Sequence, residues 1–403
     1  MRAQVGTLIL ATSVVQLANG FFNTLIALRL AVEGFGPNKT GLVLSAYFAG
    51  FTLAAMRSGR IIDRIGHIRA YAAFAGLAVA ATALMPLVVG PLVWLALRLL
   101  IGFGCAGLFV ATESWLNAKV EPAQRGRVFS IYMVGTFLAL AIGQLVIARV
   151  TIASSAPFNA IVVLFAASLV MVSMTRAEAP RLPPRTRLPF THLVRAAIVA
   201  VTGVALSGLI SSTFYALVPV WMYDEGISQP TIALFMLTAV LGGLLFQVPV
   251  GRLSDRVDRR KVLAALGVGL AATAIGLVLL PHSLPVMLPG AALFGGFMST
   301  LYPVCVANAH DRLPGDRVVA VSGHLILLSG LASIVGPIIG TSVMSLAGID
   351  GLFYFLAAAA GLLAVIAGSQ ALTRKGPLPL ERTFEILTPQ AASLAHDPVG
   401  SDG

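Results

Sequence analysis

The stretch that decides the fold reads Gly59-Arg60-Ile61-Ile62-Asp63-Arg64-Ile65-Gly66-His67-Ile68-Arg69, and its pattern returns 192 residues later. The second copy reads Gly251-Arg252-Leu253-Ser254-Asp255-Arg256-Val257-Asp258-Arg259-Arg260-Lys261. Gly, Arg, Asp and Arg recur in the same register, and each copy follows a long apolar segment. We call residues 59–69 and 251–261 the two gate loops. Their repetition indicates a chain built from two equivalent halves.

The composition excludes most soluble classes of protein. Of the 403 residues, 58% are hydrophobic and only 11% are charged, whereas an ordinary soluble domain is about 25% charged. A net charge of +11 would suit a nucleic-acid-binding protein, but no soluble core accompanies the basic residues, so we expect no nucleic-acid partner. Cys105 and Cys305 lie in apolar runs without disulfide or metal-ligand spacing, and no metal or cofactor is expected.

Twelve apolar segments are long enough to cross a bilayer, since one span takes about 20 residues. They lie near residues 5–28, 41–56, 70–90, 92–112, 128–148, 157–175, 196–222, 231–250, 262–281, 284–308, 318–345 and 351–372. The sequence therefore predicts an all-α membrane protein in a lipid bilayer, with twelve transmembrane helices in two pseudo-symmetric six-helix halves.

The connections between the spans predict the orientation and the division of the chain. Of the 27 Lys and Arg residues, 23 fall in one set of connections, 3 in the other and 1, Arg98, in a span. The positive-inside rule then places both termini in the cytoplasm and the chain in the inner (cytoplasmic) membrane. We expect an N-terminal bundle (1–175), a proline-rich cytoplasmic linker (176–195), a C-terminal bundle (196–372) and a disordered cytoplasmic tail (373–403).

The gate loops, in equivalent places of two six-span halves, resemble the signature of the major facilitator superfamily. Two stretches further resemble its YcaD-type branch, namely Glu113-Ser114-Trp115-Leu116-Asn117 and Leu301-Tyr302-Pro303-Val304. The resemblance covers about residues 5–372. It implies a secondary transporter that works by alternating access, and it does not name the cargo. The mostly uncharged polar stripes described below lead us to expect a small organic solute. The resemblance also implies that Asp63, Arg64 and Arg69 form a latch on the cytoplasmic side, closed in one state and broken in the other.

The residue types of the gate loops suit such a latch. An aspartate such as Asp63 or Asp255 can accept charge-assisted hydrogen bonds from an arginine or from a helix N-terminus. Glycine allows a tight turn and a close approach of helices, which we expect of Gly59 and Gly66, with Gly251 as the repeat of Gly59. The arginines of the gate loops, including Arg256, have an alternative role: they set the membrane topology and take no part in the latch.

Two charged residues lie in or beside the fourth span. An arginine inside a bilayer costs about 2.5–3.5 kcal/mol, so we expect Arg98 to face a wet cavity or the protein interior. Arg98 begins an R-x-x-x-G-x-G stretch that, in the resembling family, is associated with proton-coupled transport. Glu113 is the second candidate for coupling to protons, the expected coupling ion. The alternatives are that Arg98 snorkels to the interface and that Glu113 pairs with a basic residue among Lys119, Arg125 and Arg127.

A polar stripe in the first span predicts a substrate cavity. Gln16, Asn19 and Asn23 fall on one side of the helix, and a polar stripe on a spanning helix avoids lipid. The 192-residue offset takes Asn19 to Ser211 and Asn23 to Tyr215 in the seventh span. Four other polar residues within spans are assigned to the same cavity, namely Gln144, Tyr302, Asn308 and His324. The alternative is that the stripe serves helix–helix hydrogen bonding.

Three other functions remain as alternatives. An energy-dependent pump subunit would need a separate ATPase partner, since the sequence contains no nucleotide-binding motif. Drug efflux is possible within the transporter interpretation, although Gly143-Gln144 stands where antiporters of the family often carry Gly-Pro. A membrane-embedded lipid-modifying enzyme would need several His, Asp or Glu residues near one membrane face, and the sequence places no such cluster there. We therefore expect a monomeric transporter with a small-molecule substrate, and neither catalytic residues nor enzymatic activity.

Overall fold

The computed structural model describes residues 2–175, 193, 197–312 and 318–373. These residues form twelve helices and no strand: α1 (Arg2–Val32), α2 (Pro37–Ile65), α3 (His67–Leu84), α4 (Pro91–Lys119), α5 (Pro122–Ile147), α6 (Ala156–Ser173), α7 (Ile198–Asp224), α8 (Gln229–Arg256), α9 (Arg259–Leu279), α10 (Leu284–His310), α11 (Val318–Ala347) and α12 (Gly351–Thr373). Each is long and apolar enough to cross a membrane. The predicted all-helical fold with twelve spans is confirmed.

Proline and glycine mark the helix boundaries. Proline lies in the first turn of α2, α4, α5, α6, α8 and α10, where its missing N–H would have no intrahelical partner. Positive φ angles occur at Gly34, Gly66, Gly226 and Gly348, which follow the ends of α1, α2, α7 and α11. Glycine adopts this conformation without steric cost, so the chain can leave one helix and enter the next within a few residues.

The gate loops are mostly helical, which corrects the predicted boundaries. The second span was expected to end near residue 56 and the eighth near residue 250, but α2 continues to Ile65 and α8 to Arg256. A helix satisfies its own backbone hydrogen bonds, so it need not end where its side chains become polar. Asp63 and Asp255 consequently lie in the last helical turns. The next helices begin at His67 and Arg259, which are also 192 residues apart.

The two halves repeat the same helix packing. In the first half α1 packs on α5, α2 on α4, and α3 on both α4 and α6. In the second half α7 packs on α11, α8 on α10, and α9 on both α10 and α12. The two pseudo-symmetric six-helix halves predicted from the repeated motif are therefore present. The predicted linker, apart from its residue Leu193, and the tail beyond Thr373 lie outside the described residues.

Small residues bring α2 and α4 into close contact. A Cβ atom at Gly102 would collide with the carbonyl oxygen of Tyr47, and one at Gly50 would collide with that of Leu99. Glycine at these positions lets the two backbones approach, as small residues do in membrane helix pairs. This approach fixes where Tyr47 and Arg98, on facing turns of the two helices, lie relative to each other.

Candidate functional site

A cavity of about 160 Å3 lies between the two halves. Helices α2 and α5 contribute one side, and α7, α10 and α11 contribute the other. None of the described residues that line it is Asp, Glu, Lys, Arg or His. The cavity is therefore an uncharged chamber at the interface of the two halves, where ligand sites of repeat transporters are found.

The two sides of the cavity differ in chemistry. The first half supplies an aromatic wall, which consists of Tyr47, Phe48, Phe51 and Phe137. The second half supplies a serine wall, which consists of Ser207, Ser211, Ser212, Ser299, Ser329 and Ser333. Tyr215 and Tyr302 lie beside the serine wall. A ligand in the cavity would meet rings on one side and hydroxyl groups on the other.

The halves contact each other at the end opposite the gate loops. A Cβ atom at Gly41, in the first turns of α2, would collide with Thr341 near the end of α11. The side chain of Gln229, at the start of α8, donates to the backbone carbonyls of Ile147, the last residue of α5, and of Val150. Since the gate loops lie at the far ends of α2 and α8, these contacts close the opposite end of the interface.

Arg98 is buried within the first half. Its side chain is 2% exposed, and its Nη2 donates to Asn23 Oδ1 over 3.1 Å. The guanidinium carbon lies 4.5 Å from the ring centroid of Tyr47 and 5.4 Å from that of Phe22. Among the described residues its Nε and Nη1 atoms have no hydrogen-bond partner, and no carboxylate pairs with it. The arginine thus faces the protein interior and does not reach the interface.

The polar stripe of α1 lies inside the first half and does not line the cavity. Asn23 Nδ2 donates to Asn19 Oδ1 over 3.2 Å, and Asn19 Nδ2 donates to Gln16 Oε1 over 3.4 Å. The hydroxyl of Tyr47, on α2, also donates to Asn19 Oδ1, over 3.0 Å. The stripe therefore forms a hydrogen-bonded network between helices, and Tyr47 is its contact with the cavity.

The other predicted cavity residues divide into two groups. Ser211, Tyr215 and Tyr302 line the cavity, whereas Gln144, Asn308 and His324 are not among its lining residues. Gln144 instead joins α5 to α1, because Thr24 Oγ1 donates to its Oε1 over 2.6 Å and its Nε2 donates to Gly20 O over 3.1 Å.

The aromatic wall and most of the serine wall were not predicted from the sequence. Phenylalanine and serine are unremarkable within an apolar span, so single positions carry no signal. One pattern could have found part of the serine wall, since Ser207 and Ser211, and likewise Ser329 and Ser333, are four residues apart and share a helix face.

Glu113 is fully buried on α4. Its Oε1 accepts a hydrogen bond of 3.2 Å from the Tyr132 hydroxyl, and its Oε2 has no partner among the described residues. The alternative that paired it with a nearby basic residue does not describe this structure. Glu113 is not among the described residues that line the chamber.

The two gate loops differ in their ion pairs. Asp63 is exposed and makes no ion pair with any described residue, and Arg64 and Arg69 are also exposed. In the second loop, Arg259 Nη2 lies 3.2 Å from Asp255 Oδ1, and its Nε lies 2.7 Å from Asp311 Oδ2. Neither Arg259 nor Asp311 was predicted from the sequence as a site residue. Of the remaining loop residues, Gly59 and Gly251 are buried and Arg256 is exposed.

Asp258, within the second gate loop, caps the N-terminus of α9. Its Oδ1 accepts from the backbone N–H of Arg260 over 2.9 Å, and its Oδ2 accepts from Arg260 Nη2 over 2.6 Å. These bonds from Arg260 lower the pKa of Asp258 below its ordinary value. Arg260 Nη1 also donates to Gln370 O over 2.7 Å, so this pair ties the start of α9 to α12.

The repeated bundles and the chamber between them define a membrane transporter. A family model described as Major Facilitator Superfamily matches residues 8–224 and 200–389. The chain is 31% identical to an uncharacterized MFS-type transporter, YcaD, of Escherichia fergusonii. The alignment spans 325 residues, which are 80% of this chain and 84% of the relative. It is 30% identical over 323 residues to the YcaD of Escherichia coli strain 536, with the same coverage. The chain belongs to the major facilitator superfamily and is a transporter of the YcaD type.

Solved structures of other transporters share this fold. The nucleoside transporter NupG superimposes with a TM-score of 0.75 at 13% identity, covering 92% of this chain and 100% of NupG. A bacterial homologue of the human lysosomal transporter Spinster, inward-facing and unoccupied, superimposes with a TM-score of 0.72 at 15% identity, covering 91% and 95%. At these identities the likeness concerns the fold alone.

Proposed function

We propose that the chain is a proton-coupled secondary transporter that moves a small organic solute across the cytoplasmic membrane by alternating access. The observation that carries the proposal is the uncharged chamber between two bundles, which contact each other beside the chamber, at Thr52 and Gly330, and at the end opposite the gate loops. Two rigid bundles around a fixed site can rock, so that the contacts open at one end and form at the other.

The gate-loop end of the molecule faces the cytoplasm in this proposal, and both termini lie on that side. The 23 basic residues in one set of connections support this orientation. The structure then represents a state closed toward the outside. Asp63 without an ion pair fits this state, because the latch to which Asp63, Arg64 and Arg69 would contribute forms only when the cytoplasmic ends of the two halves come together.

Glu113 is the proposed site of proton coupling. An ionised carboxylate without a counter-ion is costly to bury, so proton binding and release at Glu113 would follow the access of water to it. Tyr132 orients one oxygen, while the other is left for a proton. Arg98 lies 15 residues earlier on the same helix, about 22 Å away along the axis. The two residues therefore act separately, Arg98 through Tyr47.

One chain contains everything that this mechanism needs. Both walls of the chamber, both gate loops and both charged residues belong to the same polypeptide. We accordingly propose a functional monomer with bundles at 1–175 and 196–372, joined by the linker 176–195 and followed by the tail 373–403.

Purified protein in proteoliposomes tests the proposal. We expect at least one neutral organic solute from an uptake screen to accumulate under an imposed pH gradient and to lose this accumulation when a protonophore is added. Ser130→Ala, an exposed position on α5 outside the chamber, serves as the control and should behave like the wild type. Uptake that needs an added ATPase partner, or accumulation that is indifferent to the protonophore, would contradict proton-coupled secondary transport.

A further inference from the structure

The serine wall presents hydroxyl groups that the protein itself leaves unused. Among the described residues, the hydroxyls of Ser207, Ser211, Ser299 and Ser329 make no hydrogen bond, whereas Ser333 donates to the carbonyl oxygens of Gly208 and Ser329. The buried hydroxyl of Tyr302 also has no partner. Hydroxyls both donate and accept, so this wall can satisfy the polar groups of a ligand of either kind.

The aromatic wall offers the opposite chemistry. Phe48, Phe51 and Phe137 have no polar atom, and the hydroxyl of Tyr47 is already used by Asn19. The ring of Tyr47 packs edge-to-face against Phe48, with the ring centroids 5.5 Å apart, and at a tilt against Phe51, with the centroids 6.1 Å apart. Such a surface favours a flat apolar face, and ring–ring contacts add to the free energy gained from burial alone.

The chamber also discriminates against charge. None of its described lining residues is ionisable near neutral pH, and an ion buried without a partner is costly. The buried charge of Arg98 lies behind the Tyr47 ring and is not on the chamber surface. A carboxylate or an ammonium group on a ligand would therefore lose its hydration without gaining a counter-ion.

From these three features we infer that the transported solute is uncharged and two-faced, with an aromatic ring on one side and hydroxyl or amide groups on the other. The ring lies against the aromatic wall and the polar groups face the serine wall. This inference rests on the proposed function, because it takes the chamber as the solute site. Equilibrium binding tests it without any requirement for transport.

Binding is measured by calorimetry on the full chain in lipid nanodiscs, with three matched glycosides. Phenyl β-D-glucoside has a ring, hydroxyls and no charge; phenyl β-D-glucuronide adds a carboxylate; methyl β-D-glucoside lacks the ring. We expect the phenyl glucoside to bind at least about tenfold more tightly than either of the others, because it alone avoids a buried charge and keeps the ring contacts. Stronger binding of the glucuronide or of the methyl glycoside, or no binding of any of the three, overturns the inference.

Variants locate the binding in the chamber. Ser211→Ala and Ser329→Ala should each weaken phenyl glucoside binding about two- to tenfold, the range for one neutral hydrogen bond, while Ser130→Ala leaves it unchanged. Phe51→Leu should weaken the binding of the phenyl glucoside more than that of the methyl glucoside. If Ser130→Ala and Ser211→Ala change phenyl glucoside binding equally, the placement of the solute in the chamber is overturned. Selective binding without transport refutes the proposed function alone, whereas transport of charged solutes without this selectivity refutes the inference alone.

Discussion

The guanidinium carbon of Arg98 lies 4.5 Å from the centre of the Tyr47 ring, and this same ring forms part of the wall of the chamber. Hydrogen bonds close a loop around the pair, since Arg98 donates to Asn23, Asn23 donates to Asn19, and Tyr47 donates to Asn19. A buried positive charge is thereby connected to the proposed solute site through a single side chain. Movement of Tyr47 during transport would disturb the environment of Arg98.

Arg98→Met should impair transport without destabilising the protein. The arginine has no carboxylate partner among the described residues. A buried charge without a counter-ion is costly, so an apolar side chain of similar size should not lower stability. We expect transport in proteoliposomes to fall at least about tenfold, with an unchanged or higher unfolding temperature in nanodiscs. Arg149→Met, at an exposed position, is the control. A drop in unfolding temperature that parallels the loss of transport would assign Arg98 to stability instead.

Glu113→Gln should preserve the exchange of solute across the membrane but abolish its pH-driven accumulation. Glutamine keeps the size of the side chain and can still accept the hydrogen bond from Tyr132, but it cannot release a proton. Solute counterflow, which needs no net proton movement, should remain within about twofold of the wild type. Accumulation driven by a pH gradient should vanish. A variant that accumulates solute at the wild-type rate removes Glu113 from the coupling mechanism.

Replacement by asparagine should have different effects on stability and transport at Asp63 and at Asp255. Asp255 contacts the buried Arg259, so Asp255→Asn should lower the free energy of unfolding by about 1 kcal/mol. Asp63 has no ion pair among the described residues, so Asp63→Asn should leave stability unchanged while it slows transport about tenfold. Thermal unfolding and initial uptake rates measure the two effects. Unchanged transport by Asp63→Asn would end the latch hypothesis.

Asp258 should contribute stability at neutral pH that is lost in acid. Because Arg260 lowers its pKa, the ionised form is favoured by folding, so the contribution is complete above the ordinary value of about 3.9 and disappears as the pH falls through the folded-state pKa. Asp258→Ala should cost about 0.5–2 kcal/mol at pH 7. Unfolding temperatures recorded from pH 7 down to strongly acid conditions should converge with those of the wild type. Asp258→Asn, which keeps a capping oxygen, is the control and should lose less stability than Asp258→Ala. A cost that stays constant with pH would contradict the role of the ion pair.

Gly102→Ala should destabilise the first half, because the new Cβ atom would collide with the carbonyl oxygen of Tyr47. Overpacking of this kind costs about 1–3 kcal/mol. The matched control is Gly76→Ala on α3, where a Cβ atom would meet nothing within 4 Å and helix propensity favours alanine. The unfolding temperature should fall for the first variant and stay the same or rise for the second. Equal changes in unfolding temperature for the two variants would show that the close approach of α2 and α4 does not limit stability.

The sequence by itself determined the number of spans and the repeat. In a bilayer each segment must satisfy its own backbone hydrogen bonds, so a helix such as Leu284–His310 is visible as an apolar run, predicted here at 284–308. The 192-residue offset of the gate loops likewise reappears in the starts of α3 and α9. The ends of α2 and α8 were misplaced, because polarity marks the membrane surface and not the end of a helix.

Only the tertiary structure decided which polar residues meet the chamber. The sequence indicates that Asn19 and Asn23 must avoid lipid, but a neighbouring helix satisfies that requirement as well as a cavity does. The rotation of α1 directs them toward Tyr47 and Arg98, while the rotations of α7 and α11 direct ordinary serines into the interface. Those rotations follow from side-chain packing between helices far apart in the sequence, and no local pattern records them.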